Sequence, residues 1–241
     1  MLFRSQLSGA SFSTSPNWTQ QEAMTSILTS STPEQSAVAV LWLKAFGVNS
    51  ATAAGRHSPE FWKGPSSTKF DGLLPVLWRQ EDTTIYRVPQ RSPSLAHVIP
   101  DAAIATRDAA GALPLGELQK YVAALDDPSL PLAETRWTGF RRISIATTAG
   151  PGQAVSVQTG YHRGWRAWSN GRRAEVSRDG LGFLVVHPRC EGPCRIEMTY
   201  DGGWEYWLCR VLSVLTFLGI LGYGGASLRR ASAWSRSRGP A

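Results

Sequence analysis

The chain has 241 residues, of which 42% are hydrophobic and 18% are charged, and this is the composition of an ordinary globular protein. Its net charge of +7 is concentrated at one end, because the last thirteen positions hold four arginines and no acidic residue: Arg229, Arg230, Arg236 and Arg238. In the rest of the chain, 21 basic residues stand against 18 acidic ones. A nucleic-acid-binding domain would need a basic face with interleaved aromatic residues, so we expect no nucleic-acid partner.

The N-terminal half predicts a disordered segment followed by a mixed α+β region. Residues 1–17 are rich in Ser, Thr, Asn and Gln and are expected to be disordered. Within residues 18–135, helices are predicted over 18–30 and 33–46, the second with Thr32 as its N-cap and a proline at its first helical position. This second helix is predicted to have one apolar face, formed by Val38, Leu41, Trp42 and Ala45.

Further elements are predicted in the same region. Residues 48–53 and 96–99 predict short strands, and residues 74–89 predict a β-hairpin around Glu81 and Asp82. Residues 115–125 predict an amphipathic helix whose apolar residues recur at helical spacing: Leu115, Leu118, Tyr121, Val122 and Leu125.

Residues 136–203 predict a small antiparallel β-sandwich. Apolar and polar residues alternate in six short segments: 141–147, 154–161, 165–169, 174–178, 183–187 and 195–200. Asn170-Gly171 lies between the third and fourth of these segments and is the strongest short-range signal for a β-hairpin. Six short strands at this spacing are typical of a sandwich.

Residues 204–228 predict one transmembrane helix. The stretch 211–228 has eighteen residues and no charge, and as a helix it would extend about 27 Å, close to the hydrocarbon thickness of a bilayer. Residues suited to the membrane interface precede it: Trp204, Tyr206, Trp207 and Arg210. The alternative is a buried core helix of a soluble protein. With this helix, the predicted fold class is α+β: a mixed helix and strand N-terminal part, a small antiparallel β-sandwich, and one C-terminal transmembrane helix.

The four C-terminal arginines predict the orientation. Basic residues that flank a membrane helix stay in the cytoplasm, so residues 229–241 are expected to form a cytoplasmic tail and Arg229, Arg230, Arg236 and Arg238 its anchor. Everything before Trp204 is then non-cytoplasmic. No signal peptide begins at Met1, so we expect the chain to be a fragment whose upstream membrane helices are missing. A tail-anchored protein with a cytoplasmic domain is the alternative orientation.

Few residues suggest chemistry. The four histidines have no metal-ligand spacing, and we expect no metal, no cofactor and no catalytic residue in this chain. Cys190 and Cys194 either form a disulfide or remain free thiols in a turn. Trp165 and Trp168 either stack on a sugar ring, or Trp165 fills the sandwich core while Trp168 packs on the opposite face.

Several segments resemble the C-terminal region of the YfhO-type family of bacterial multi-pass membrane proteins. These segments are YHRGWRAWSNGRR, GFLVVHP and RIEMTYDGGWEYWLCRVLS, with LWLKAFGVNSATAAG and TTIYRVPQRSPSLAHVIP upstream. The matching residues are Tyr161, Gly164, Trp165, Ala167, Asn170, Gly171 and Tyr200, and the resemblance covers most of residues 38–228. The sequence departs from the family pattern at Trp168, Cys190 and Cys194.

The resemblance implies a parent protein of the polytopic glycosyltransferase class that uses lipid-phosphate sugar donors for envelope biogenesis in the bacterial inner membrane. Such enzymes carry their catalytic acidic residue in an early loop that has no counterpart here, so no catalytic residue is carried over. The expected partners are the lipid bilayer, the other transmembrane helices of the parent protein, and a glycan or lipid-linked sugar. The alternative is a non-enzymatic, membrane-anchored binding or structural module.

Overall fold

The structure, a computed structural model, describes residues 18–57 and 66–236, with side chains up to Leu221 and at Tyr223. The predictions for residues 1–17 and for Arg238 lie outside the described residues. Those for the side chains of Arg229, Arg230 and Arg236 lie outside the described side chains.

The chain has an α+β fold, as predicted. Its long helices are α1 (Trp18–Thr29), α2 (Pro33–Ala45), α3 (Leu115–Asp126) and α4 (Gly203–Arg236). Its strands are β1 (Ser50–Ala54), β2 (Val76–Gln80), β3 (Thr83–Arg87), β4 (Ala96–Pro100), β5 (Glu134–Thr138), β6 (Arg142–Ala149), β7 (Gln153–Gly160), β8 (Trp165–Ser169), β9 (Arg172–Arg178), β10 (Phe183–His187) and β11 (Gly192–Tyr200). A single 3₁₀ turn, Asp101–Ala103, follows β4 in this part of the chain.

Within the described residues, the strands form two antiparallel sheets. The small sheet has the order β1-β3-β2, and its β2–β3 hairpin turns at Glu81 and Asp82 as the sequence predicted. The large sheet has the order β4-β7-β10-β9-β8-β11-β6-β5. All six strands predicted for the sandwich belong to it, and β4 and β5 extend its two edges. The large sheet therefore contains strands from both sides of the domain boundary that the sequence predicted at residue 136.

The large sheet curls into a sandwich that is nearly closed as a barrel. Strand β9 belongs to both halves, because Ala174 pairs with β8 while Val176 pairs with β10. The two edges of the sheet meet where Ser94, just before β4, shares a 2.7 Å hydrogen bond with Thr135 on β5. Side chains from both halves fill one core, among them Ile145, Val157, Leu184, Ile196 and Met198.

Helix α2 lies between the two sheets and is buried on two faces. Trp42 and Ala45 pack into a cluster with α3 and the outer face of the large sheet. Ala39 and Leu43 pack into another cluster with the small sheet. The sequence predicted only the first face. The predicted N-cap is confirmed, since the Thr32 hydroxyl accepts a hydrogen bond from the backbone N–H of Gln35.

Helix α4 contains the predicted membrane segment and extends away from the domain. Its stretch Gly203–Leu221 is long and apolar enough to cross a bilayer, and none of this stretch is buried. Leu215, near its middle, is 59% exposed. A core helix of a soluble protein would bury such residues, so the buried-helix alternative does not describe this structure.

Candidate functional site

The end of the large sheet next to α4 brings together three chain segments, which we call the α4 end. They are the β5–β6 turn at 139–141, the β7–β8 loop at 161–164 and the linker 201–202 before α4. Strand β6 begins opposite the last residues of β11 and ends opposite its first residue, so the β5–β6 and β6–β7 turns lie at opposite ends of the sheet. The α4 end is the part of the domain that would face a membrane crossed by α4.

Backbone contacts hold the three segments together. The Tyr200 N–H donates a 2.8 Å hydrogen bond to the Arg141 carbonyl, and the Asp201 N–H donates one of 2.9 Å to the Gly164 carbonyl. A Cβ atom on Gly164 would lie only 2.8 Å from the Gly203 nitrogen, so this glycine permits the close approach of the loop to the first residue of α4. The helix therefore begins in direct contact with the sheet.

Side-chain contacts add to this attachment. Arg163 forms an ion pair with Glu205, and its guanidinium carbon lies 5.2 Å from the centroid of the Trp204 ring. Arg141 lies in the same way over the ring of Tyr206, at 5.1 Å. Arginine over an aromatic face is a favourable cation–π arrangement. The first turn of α4 is thus bound to both neighbouring loops.

The residues predicted for the membrane interface all lie in the first two turns of α4. Trp204 and Trp207 are 57% and 62% exposed, and Tyr206 is 39% exposed. The Arg210 guanidinium carbon lies 5.9 Å from the Trp207 ring centroid. The structure therefore brings these four side chains together as one exposed aromatic and basic girdle at the start of the helix.

The two tryptophans predicted as a sugar-stacking pair lie in different environments. Trp165 is only 8% exposed and packs against Tyr200, with ring centroids 5.3 Å apart. Trp168 is 37% exposed on the opposite face of β8, beside Glu197 of β11. They do not form a common platform, and Trp165 occupies the core position of the second alternative. Trp168 alone presents an accessible ring.

Cys190 and Cys194 are joined by a disulfide. Both residues are buried, at 8% and 3% exposure, where β11 begins. The Ser169 hydroxyl lies 2.8 Å from the Cys190 sulfur. Because β11 ends at α4, this disulfide lies at the end of the sheet remote from α4.

A cleft of about 420 Å³ lies beside the disulfide, and two of its lining residues, Asp101 and His187, belong to the arrangement closest to a catalytic one. The Ser177 hydroxyl lies 3.4 Å from Nε2 of His187, whose Nδ1 lies 3.7 Å from an oxygen of Asp101. The second distance is too long for a hydrogen bond, and half of the Asp101 side chain is exposed. His187 therefore lacks the orienting contact that a serine hydrolase needs, and we assign no catalytic role to these residues.

A second cleft has the chemistry of an anion-binding surface. It has a volume of about 410 Å³ and lies over β8 and β9. Its charged lining consists of Arg166, Arg173, Arg189 and Glu175. Arg166 also forms an ion pair with Asp201, at 3.2 Å, which connects this cleft to the α4 end. Arginine forks suit phosphate and carboxylate groups.

Sequence reasoning missed one feature of the α4 end. Phe140 is 94% exposed at the tip of the β5–β6 turn, which makes it the most exposed large hydrophobic residue among the described side chains. The sequence signal was the run Gly139-Phe140-Arg141-Arg142, a turn glycine followed by an aromatic and two basic residues. It was passed over because β5 was not predicted, so no turn was expected there.

Comparison with models of protein families, with curated protein sequences and with solved structures found no match to this chain. The resemblance to the YfhO-type family therefore remains a prediction from the residues that carry it. Among the described residues, no group of three or more His, Cys, Asp or Glu side chains is arranged to hold a metal ion.

Proposed function

We propose that this chain is the non-cytoplasmic accessory domain and last membrane helix of a multi-pass bacterial inner-membrane protein. The observation that carries the proposal is the attachment of α4. An exposed apolar helix leaves the domain through a junction in which Gly164, Arg141 and Arg163 bind its first turn. In this arrangement the domain is held against the membrane surface and cannot swing freely on a linker.

Two observations support a non-cytoplasmic domain. The Cys190–Cys194 disulfide is typical of an oxidising compartment. The arginines after the apolar segment, including Arg229 and Arg230, are typical of a cytoplasmic flank. Both observations support the same orientation. The disulfide lies on one side of the proposed membrane and the arginines lie on the other.

The parent protein in this proposal is a glycosyltransferase that uses lipid-phosphate sugars. The resemblance of residues 161–200 to the YfhO-type family supports it, and so does the cleft lined by Arg166, Arg173 and Arg189. A sugar carried on a lipid phosphate brings a negative charge to the membrane surface, and these arginines could receive it. The domain would then position the lipid-linked sugar or its acceptor, while the chemistry takes place elsewhere in the parent protein.

A membrane-anchored binding or structural module is the second candidate. The domain supports it by having its own cores in the described residues, one inside the large sheet and others around α2. Such a domain does not depend on further membrane helices for its fold. Membrane spans encoded in frame upstream of Met1 would favour the transferase, whereas a stop codon and a signal peptide there would favour the module.

Membrane fractionation and cysteine labelling test the location and orientation. In a Cys209→Ser background, Ala110→Cys places a thiol on an exposed turn of the domain, and Ser237→Cys places one in the tail. We expect the protein to resist extraction by alkaline carbonate. Intact cells should be labelled by a membrane-impermeant maleimide at position 110 and not at position 237. Extraction without detergent, or the reverse labelling, would contradict the proposal.

Sugar transfer tests the enzymatic part. Membranes that contain the parent protein should transfer sugar from a polyprenyl-phosphate donor, and Arg173→Gln should lower this transfer by weakening the positioning of the phosphate. Arg195→Gln is a matched control, because Arg195 is equally a strand arginine of the large sheet but does not line this cleft. If both variants transfer at the same rate as the wild type, the cleft has no role in positioning.

A further inference from the structure

The β5–β6 turn exposes an aromatic side chain at a position where the fold does not require it. Gly139 has a φ of +65°, in the left-handed region that favours glycine, and it turns the chain so that Phe140 is at the tip. Phe140 is 94% exposed, so its ring contributes almost nothing to the packing of the domain. A single exposed hydrophobic residue is common on protein surfaces, and its meaning depends on what surrounds it.

The surroundings connect this turn to the girdle of α4. The residue after Phe140 accepts a backbone hydrogen bond from Tyr200 and places its guanidinium over the ring of Tyr206. Trp137, on the strand before the turn, is 36% exposed and meets the edge of Trp165. Exposed aromatic side chains therefore lie on both sides of Arg141, at the start of α4 and at the β5–β6 turn.

The charges of the α4 end are predominantly positive. Two acidic side chains in or beside this end, Asp201 and Glu205, form ion pairs with Arg166 and Arg163. Five arginines lie in or beside the same end and outnumber them: Arg141, Arg142, Arg163, Arg166 and Arg210. A surface that combines exposed aromatic rings with excess arginine suits the headgroup region of a bilayer, where rings enter the acyl boundary and arginines meet phosphates.

We propose that the β5–β6 turn is a second membrane-contact site, in which Phe140 inserts into the interfacial region of the leaflet where α4 enters, and Arg141 and Arg142 bind the phosphates of anionic phospholipids. This inference rests on the proposed membrane anchoring by α4. With α4 as one contact and Phe140 as another, the domain would be fixed in orientation on the bilayer and not merely tethered to it.

Lipid-borne quenching of a fluorophore tests this contact. Phe140→Cys, in a Cys209→Ser background, is labelled with the environment-sensitive dye NBD. The purified full chain is reconstituted in phosphatidylcholine vesicles with or without phosphatidylglycerol, each containing a doxyl-labelled lipid. Pro151→Cys is the matched control, because it lies in the exposed turn at the other end of β6, roughly 25 Å away at the usual rise of a strand. Leu215→Cys, in the middle of the apolar stretch of α4, reports on the span itself.

We expect quenching at positions 140 and 215 but not at 151, and stronger quenching at position 140 when phosphatidylglycerol is present. Quenching at 215 without quenching at 140 would overturn the contact site and leave the membrane span intact. Absence of quenching at 215 as well would overturn the membrane anchoring on which the inference rests.

Equal quenching at 140 and 151 would mean that the domain has no fixed orientation. Unchanged quenching at 140 without anionic lipid would remove the role of the arginines. A protein partner as the true occupant would appear as protection of position 140 from quenching in native membranes to which the same doxyl-labelled lipid is added, but not in vesicles, and this result would also contradict the proposal.

Discussion

Arg141 lies with its guanidinium carbon 5.1 Å from the centroid of the Tyr206 ring, and this contact joins a turn of the large sheet to the first turn of α4. The two residues are far apart in sequence. The position of α4 therefore depends on the β5–β6 turn, which lies much earlier in the sequence than the helix.

Removing the Arg141 side chain should loosen the start of α4. Arg141→Ala should weaken the attachment by about 0.5–1 kcal/mol, the usual size of an exposed cation–π contact. The measurement is hydrogen exchange of the α4 backbone amides at positions 204–210, which should become faster in detergent micelles. Arg141→Lys keeps the cation and should recover part of the protection; equal exchange in Arg141→Ala and the wild type would show that the contact does not hold the helix.

Adding a side chain at Gly164 should disrupt the junction more strongly. Its Cβ would meet the Gly203 nitrogen at 2.8 Å and a side-chain oxygen of Asp201 at 2.9 Å, and the former is backbone that cannot easily move. We expect Gly164→Ala to lower the free energy of unfolding by about 1–3 kcal/mol, the usual cost of overpacking. Thermal unfolding and limited proteolysis at residues 201–203 would measure the effect.

Gly160→Ala is the control for that substitution. Gly160 ends β7, and a Cβ there would meet nothing within 4 Å. Its unfolding temperature should stay close to that of the wild type. A similar loss of stability in both variants would indicate a general cost of replacing glycine and not a close contact at the junction.

Loss of the disulfide should destabilise the domain without releasing α4. Replacing Cys190 and Cys194 together by alanine opens a short loop, for which the chain-entropy model gives about 2 kcal/mol. The unfolding temperature of the wild type should fall to that of the double variant when reductant is added. Cys209→Ser should have no such effect, because Cys209 is a free cysteine on α4. Insensitivity of the wild type to reductant would contradict the prediction.

Asp179 should make stability depend on pH. It is 6% exposed in the turn between β9 and β10, where one carboxylate oxygen accepts a 2.7 Å hydrogen bond from the Phe183 N–H and the other has no partner among the described residues. Burial raises the pKa of Asp179 from 3.8 to about 7. Since the folded state holds this proton more tightly than the unfolded state, the contribution of Asp179 to stability is complete below about pH 4 and is lost as the pH rises through 7.

The difference between the wild type and Asp179→Asn isolates this effect. Burial lowers the pKa of His97, so His97 contributes a slope of the opposite sign in the same pH range, and the wild-type curve alone would mix the two. The free energy of unfolding of Asp179→Asn, relative to that of the wild type, should increase between pH 4 and pH 7 by at most about 4 kcal/mol. This limit follows because each unit of pKa change corresponds to about 1.4 kcal/mol. Denaturant unfolding at several pH values measures it, and a constant difference would show that Asp179 titrates as it does in the unfolded chain.

The strands of the large sheet were largely predictable because their information is local. Alternation gave the six segments of the sandwich, and Asn170-Gly171 gave the β8–β9 turn, where Asn170 has the positive φ of 46° that this turn requires. Strand β5 was missed because it is an edge strand whose residues are mostly exposed, so it lacks the apolar alternation on which the prediction depended. The second buried face of α2 was missed because most of the residues that cover it, among them Phe70, Leu74 and Tyr86, lie in later segments of the chain.

The candidate site was predictable only where it lies in one segment. Trp204, Tyr206, Trp207 and Arg210 were recognised because they are adjacent to an apolar run. Phe140 was not, because its position near the start of α4 arises from the pairing of β5 with β6 and of β6 with β11, and no local pattern encodes that. Trp165 and Trp168 illustrate the same limit: their spacing of three residues within a strand puts them on opposite faces, but it does not tell which face is the core.

The close approach at Gly164 has a mechanical consequence. With no slack between the sheet and the first residue of α4, a change in the tilt of the helix would be carried rigidly to the far end of the domain. Over the roughly 25 Å length of β6, a tilt of ten degrees would displace the region of the disulfide by about 4 Å. If α4 lies beside other helices in a bilayer, as proposed, a rearrangement among them would in this way move the end of the domain that is remote from α4.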